Sequence, residues 1–297
     1  MNDYNLFCSG FGTFHTNAPT AKKRTPYQPI SWDNILNLIE APQQVDKSKA
    51  RWVIFSDQFG ENGRNADYLR SNAKYGALWA DIDETGHDKQ TIIEAVNTLG
   101  CMALIYTTAS ATPEAQKWRI IIPLAGSVCA DSFELMQRAF NDCLERQGIN
   151  PDRASERVNQ VCYLPNKGQY YDFEAINNDL LPINYFDADI ERIKADIEAH
   201  KAKLEAQREA NRAKQAQRVV SGELSPIQAY NAAFSIESEL EVHGYTKQGN
   251  RWLSPNSESG AAGVTITENR WLSSHGSDSG IGKPNQNGCS GDAFDLF

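Results

Sequence analysis

Ala77-Leu78-Trp79-Ala80-Asp81-Ile82-Asp83 is an apolar run that closes on two carboxylates. Its length and composition read as a strand, and because side chains alternate along a strand, Asp81 and Asp83 point to the same side of the sheet. Asp81 falls partly inside the sheet, where an unpaired charge is costly. Working outward, Asp88 to Gly100 reads as a helix with Asp88 as N-cap and Gly100 as stop. Met102 to Thr107 is the next strand and Trp118 to Pro123 another. Asp131 is expected to cap a helix running to about Gln147, with Phe133, Met136, Phe140 and Leu144 on one face, and Val161-Cys-Tyr-Leu164 closes the series. Upstream, Trp52 to Ser56 is a further strand in an N-terminal α/β extension. From Ala77 the order strand, helix, strand, strand, helix, strand is the split β-α-β arrangement of RNA-recognition-like α+β domains. Right-handed crossovers then predict the spatial order fourth, first, third, second.

That order brings several polar residues to one edge of the sheet. Asp81 and Asp83 end the first strand. Asp152, in Asn150-Pro-Asp-Arg, precedes the fourth strand, expected beside the first, and is a candidate third carboxylate. Such oxygens suit Mg²⁺, which takes one or two carboxylates, keeps waters, and uses phosphate oxygens for the rest. The loop from Thr107 carries hydroxyls at Thr107, Thr108, Ser110 and Thr112, then the cations Lys117 and Arg119. Hydroxyls beside a guanidinium fork are what triphosphate oxygens need, and an Arg in an apolar strand start needs an anion partner. Taken singly, Asp-x-Asp often caps a turn, Asp152 after Pro151 reads as a turn residue, and the loop reads as solvated polarity. Their meeting at one edge is what points to a site.

These segments, with Ile105-Tyr-Thr-Thr-Ala-Ser110, Lys117-Trp-Arg-Ile-Ile-Ile-Pro-Leu124 and Arg70-Ser-Asn-Ala73, resemble the archaeo-eukaryotic primase (AEP) superfamily, specifically the primase-polymerases of phages, plasmids and integrated elements. The resemblance covers roughly Trp52 to Asn166. It implies a DNA-dependent nucleotidyltransferase that makes or extends primers on single-stranded DNA from NTPs or dNTPs. It also implies that Asp81, Asp83 and Asp152 bind two catalytic Mg²⁺ or Mn²⁺ ions, and that Ser110 and Arg119, helped by Lys117 and Thr108, bind the nucleotide's phosphates. One departure is that Ser110-Ala-Thr112 stands where many members have Ser-x-His. The rival readings are a metal-dependent nuclease or phosphotransferase, for which no convincing Glu stands on an earlier strand, and a non-catalytic replication-initiation DNA-binding module, against which the three acids speak.

The 297 residues, 40% hydrophobic and 10% aromatic, suffice for a large domain with a smaller companion. No apolar run is long enough for a membrane helix, and the six scattered cysteines form no C-x-x-C pair, so a reducing cytoplasm is expected. A net charge of −9 disfavours binding nucleic acid through bulk charge alone. Lys22, Lys23 and Arg24 are candidate template contacts. Composition changes near Asp187, which divides the chain into a catalytic domain (1–186), a connecting helix (187–220) with the stripe Ile190, Ile193, Ile197 and Leu204, and a small β-rich domain (221–297). The last resembles the zinc ribbon of bacterial and phage primases with Ser254, Ser257 and neighbours in place of the ligands. His275 and Cys289 cannot supply four ligands, so no zinc is expected. The ending at Asp292-Ala-Phe-Asp-Leu-Phe297 reads as a cut from a longer protein, with a replicative helicase implied beyond it.

Overall fold

The computed structural model describes residues 6–12, 27–222, 224–257, 260–278, 280–285 and 288–296; Lys22, Lys23 and Arg24 lie outside them. In chain order the first elements are β1 (Leu6–Phe11), β2 (Gln28–Ser31), α1 (Trp32–Glu40), β3 (Arg51–Ile54) and α2 (Ala66–Asn72). There follow β4 (Lys74–Ile82), α3 (Lys89–Asn97), β5 (Ala103–Thr107), β6 (Trp118–Cys129), α4 (Ala130–Glu145), β7 (Cys162–Tyr163) and β8 (Phe173–Ile176). The architecture is mixed α+β. One sheet has the order β2-β1-β3-β7 and a second β4-β6-β5-β8, with antiparallel neighbours throughout, so β4 and β5 run parallel as expected.

The fourth strand departs from expectation. It does not lie beside β4 but pairs with β3 in the other sheet, Trp52 opposite Tyr163, and β8 extends the second sheet beyond β5. The physical reason lies at the free edge of β4, where a side chain and a loop already bond the outward backbone groups. The Gln137 amide, from α4, accepts from Trp79 N at 3.1 Å and donates to Trp79 O at 2.8 Å, while Asp152 N donates to Asp81 O at 2.8 Å. A further strand would find few unpaired groups there.

Alternation along β4 sorts its residues. Ala77 and Trp79 join Phe7, Val53 and Cys162 from the first sheet, and Ile35 and Ile39 from α1, in one core shared by both sheets. Leu78, Ala80 and Ile82, facing the other way, are fully buried too. Burial on both faces is why this stretch reads as a continuous apolar run. Asp88 caps α3 as expected, accepting from Thr91 N at 2.8 Å, and Gly100 takes the left-handed conformation after it. The α4 stripe Phe133, Met136, Phe140 and Leu144 is buried.

Asp131, however, is not the cap of α4. β6 runs on to Cys129, which takes the N-cap position and leaves Asp131 in the first turn. The exposed Cys129 thiol is held below its ordinary pKa, chiefly by a hydrogen bond with Ser132. Burial pushes Cys8 and Cys162 up to about 12 and Cys101 to about 11. Because the thiolate is the nucleophile, iodoacetamide at neutral pH should label Cys129 well before these three, which need denaturant. Peptide mapping by mass spectrometry reads the order, and equal rates would refute it.

The chain forms two compact units, divided at Ala195/Asp196 within α5 (Asp187–Val220). Of the expected stripe on that helix, Ile193 is buried and Ile190, Ile197 and Leu204 are half-buried. The second unit adds α6 (Pro226–Ala233), α7 (Ile236–Val242), β9 (Thr246–Gln248), β10 (Arg251–Leu253), β11 (Val264–Thr267), β12 (Arg270–Ser273), β13 (Lys283–Asn285) and β14 (Gly288–Gly291). Its antiparallel sheet runs β13-β14-β12-β11-β10-β9 over a core that includes Trp252, Trp271, Leu240 and Tyr245. Asp278, fully buried, is its polar hub, accepting from Ser254 Oγ at 2.6 Å and Ser273 Oγ at 2.5 Å, with the Tyr245 hydroxyl also bonded to it. Cys289 Sγ donates to Asp278 O, and His275 Nε2 accepts from Gly263 N. Ser257 lies one turn on, its N–H donating to Ser254 O. Among the described residues no helix is long and apolar enough to cross a membrane.

Candidate active site

Across the second sheet, register sets the residues in rows. Trp79, Ile121 and Leu104 form one apolar row, and one step toward the strand ends stand Asp81, Arg119 and Tyr106. The shared core therefore gives way to charge at that row. Arg119 Nη2 donates to Asp81 Oδ2 at 2.5 Å and Nη1 to Tyr163 O at 2.7 Å, where the Tyr106 hydroxyl also donates at 2.7 Å. Burial by itself would weaken the guanidinium's hold on its proton, but the Asp81 charge overrides it and the Arg119 pKa stands above its ordinary value. The Tyr106 hydroxyl is pushed up by burial.

The anion partner that Arg119 needs is thus Asp81 on the neighbouring strand. Both ends of its fork are engaged, and its side chain is only 9% exposed. The expected phosphate role gives way in this geometry to that of a strut holding Asp81. Lys117 is likewise on a carboxylate, Asp83, at 3.1 Å.

Asp152 comes beside Asp81 without strand pairing. Its N–H bonds Asp81 O, and its Oδ1 accepts from Ala154 N, capping the short helix Arg153–Glu156. Ser155 Oγ donates to Asp152 O and accepts from Asn141 Nδ2, while Gln137 Nε2 donates to Asn141 Oδ1. A buried chain of amides and hydroxyls from α4 therefore sets both the edge of β4 and the position of Asp152. Gln137→Leu should cost about 2–3 kcal/mol, since Trp79 N–H and C=O lose their partners inside the protein. Urea unfolding measures it, and an unchanged midpoint would refute the edge role.

Asp81, Asp83 and Asp152 line one cavity of about 470 Å³ together with Thr107, Thr108, Ser110, Tyr106, Arg119, Tyr163, Gln160, Asn166 and Lys47. That volume falls in the range of small-ligand sites, roughly 300–1,000 Å³. Thr108 and Ser110 stand with their hydroxyls 3.3 Å apart. Their loop rests on Gly168, where a Cβ would come within 2.0 Å of Ala109 O, so only glycine permits that approach. Asp81 Oδ1 is buried and has no hydrogen-bond partner. A buried carboxylate oxygen without a partner, on a residue that lines this cavity, is a group whose need a hard cation would meet. Among the described residues no three His, Cys, Asp or Glu side chains converge closely enough to hold a metal. A cation here would therefore rest on Asp81 with its neighbour Asp83, and substrate and water would complete its shell.

Arg70 lies apart from this cavity, paired with Glu134 and Asp67. Nothing local in the sequence marks Lys47 or Asn166, and only the fold brings them to the cavity, beside Tyr163 of the short strand expected at Val161–Leu164.

No family model matches the chain, and no curated protein matches it. Among solved structures, the AEP domain of the cyanophage S-2L primase-polymerase (PrimPol) is similar with a TM-score of 0.36 and 9% identity, covering 61% of this chain and 86% of that domain. A likeness this loose carries no functional argument by itself.

Proposed function

We propose that the chain is a nucleotidyltransferase of the primase-polymerase kind, which makes or extends primers on single-stranded DNA during replication of a phage or other mobile element, alongside a replicative helicase. The observation that carries this reading is the meeting, in the walls of one cavity, of Asp81, Asp83 and Asp152 with the hydroxyls of Thr108 and Ser110, where Asp81 Oδ1 stands buried and unpartnered. In this reading Asp81 and Asp83, with Asp152 beside them, hold Mg²⁺ or Mn²⁺. Such ions supply charge stabilisation for the attacking and leaving oxygens of a phosphoryl transfer. Arg119 fixes Asp81 from behind. Thr108 and Ser110 donate to phosphate oxygens, and Lys117 steadies Asp83 at the phosphate side. The small C-terminal domain serves primer initiation more than extension.

Incubation with labelled nucleotides, Mg²⁺ or Mn²⁺, and single-stranded DNA, unprimed or primed, tests the proposal. Labelled oligomers on the unprimed template and lengthened primers on the other are expected. Degradation of the DNA with no incorporation would replace the reading with that of a nuclease.

A further inference from the structure

Among the described residues the cavity is lined by three carboxylates and two cations, Arg119 and Lys47, and Arg119 is engaged by Asp81 and Tyr163 O. Lys117, on Asp83, does not line it. Lys47 has no carboxylate partner among the described residues; its ammonium lies 5.4 Å from the centre of the Tyr163 ring, a cation–π contact that orients the charge without neutralising it.

The turn that carries Lys47 is braced. Asn166 bonds Val45 twice, its Nδ2 donating to Val45 O at 2.8 Å and its Oδ1 accepting from Val45 N at 3.0 Å. Gln43 N donates to Pro165 O, Lys167 N donates to Gln43 O, and Gln43 Oε1 accepts from Arg51 N. Within the turn Lys49 N donates to Asp46 O and Ala50 N to Lys47 O. Two remote chain segments are thus tied together with a lysine at the wall of the cavity that Thr108 and Ser110 also line, on a pre-organised turn.

Resting on the nucleotidyltransferase reading, we propose that Lys47 is the cation that receives the phosphates of the incoming nucleoside triphosphate. It lines the same cavity as the three carboxylates and the Thr108 and Ser110 hydroxyls, which fits the phosphates of a nucleotide better than a DNA backbone.

Binding of a fluorescent (mant-labelled) GTP in Mg²⁺, followed by anisotropy, tests this with the full chain, Lys47→Ala, and Lys49→Ala as a control on the same turn. Lys47→Ala should raise the Kd about tenfold or more, the size of losing a charge-assisted hydrogen bond, with Lys49→Ala near wild type. The loss should shrink from triphosphate to diphosphate to monophosphate and vanish for the labelled nucleoside. The thermal midpoint should not move, Lys47 being exposed. Equal Kd values for the two variants would overturn the Lys47 assignment while leaving the nucleotidyltransferase reading intact. Weakened single-stranded DNA binding with unchanged nucleotide affinity would overturn it in favour of a template contact. Failure of the wild-type chain to bind triphosphate would overturn the underlying reading as well.

Discussion

Arg119→Met is expected to destabilise the protein by about 3–5 kcal/mol, because it leaves Asp81 as an uncompensated charge in a buried site. The pair is short and deep, with side-chain exposures of 9% and 20%. Its companion Asp81→Asn should also lower stability, by leaving the guanidinium without its anion. The double variant Asp81→Asn/Arg119→Met should recover much of the loss, since removing a whole buried pair is often near neutral. Chemical denaturation of the three proteins decides the matter. A stable Arg119→Met protein with normal folding and only weakened nucleotide affinity would return Arg119 to phosphate binding.

Asp83→Asn should behave in the opposite way. Its carboxylate is 64% exposed and its bond to Lys117 is a surface pair, worth about 0–1 kcal/mol, so the unfolding midpoint should hardly move. Nucleotide incorporation should nevertheless fall by about 10²–10³-fold, the scale of losing one electrostatic contact to a phosphoryl-transfer transition state. Two acids one pleat apart are thus expected to separate by depth: loss of Asp81 should affect both fold and activity, and loss of Asp83 activity alone. Primer extension beside a melting curve distinguishes them, and full activity in Asp83→Asn would remove it from the site.

Legibility in the sequence follows the range of the forces. The runs at Ala77 and Trp118, the Asp88 cap and the α4 stripe are stated by neighbours in the chain, and they place Asp81, Asp83, Thr108 and Ser110 at one edge. The need of Arg119 for an anion was equally readable, but its identity depends on the register of β4 against β6, which no local pattern encodes. The fourth segment departs from its expected place for a similar reason. Val161-Cys-Tyr-Leu164 looks like any short strand, and its choice of β3 turns on Gln137, which reads as one more polar residue on an amphipathic helix. Lys47 lies further still from its context, made meaningful by an asparagine more than a hundred residues away.

The Gln137 amide bonded along the rim of β4 bears on how copies of this chain behave in one another's company. A long apolar strand with open N–H and C=O groups is a template for pairing with another chain, and proteins commonly guard such rims with charge, proline or a bulge. Here one carboxamide and one loop N–H do that work at Trp79 and Asp81, while Phe55 O and Asp57 N bond Gly76 N and Lys74 O nearer the start of the strand. Deprived of Gln137, the rim of β4 becomes adhesive, and the protein should self-associate with rising concentration under conditions in which the parent chain does not.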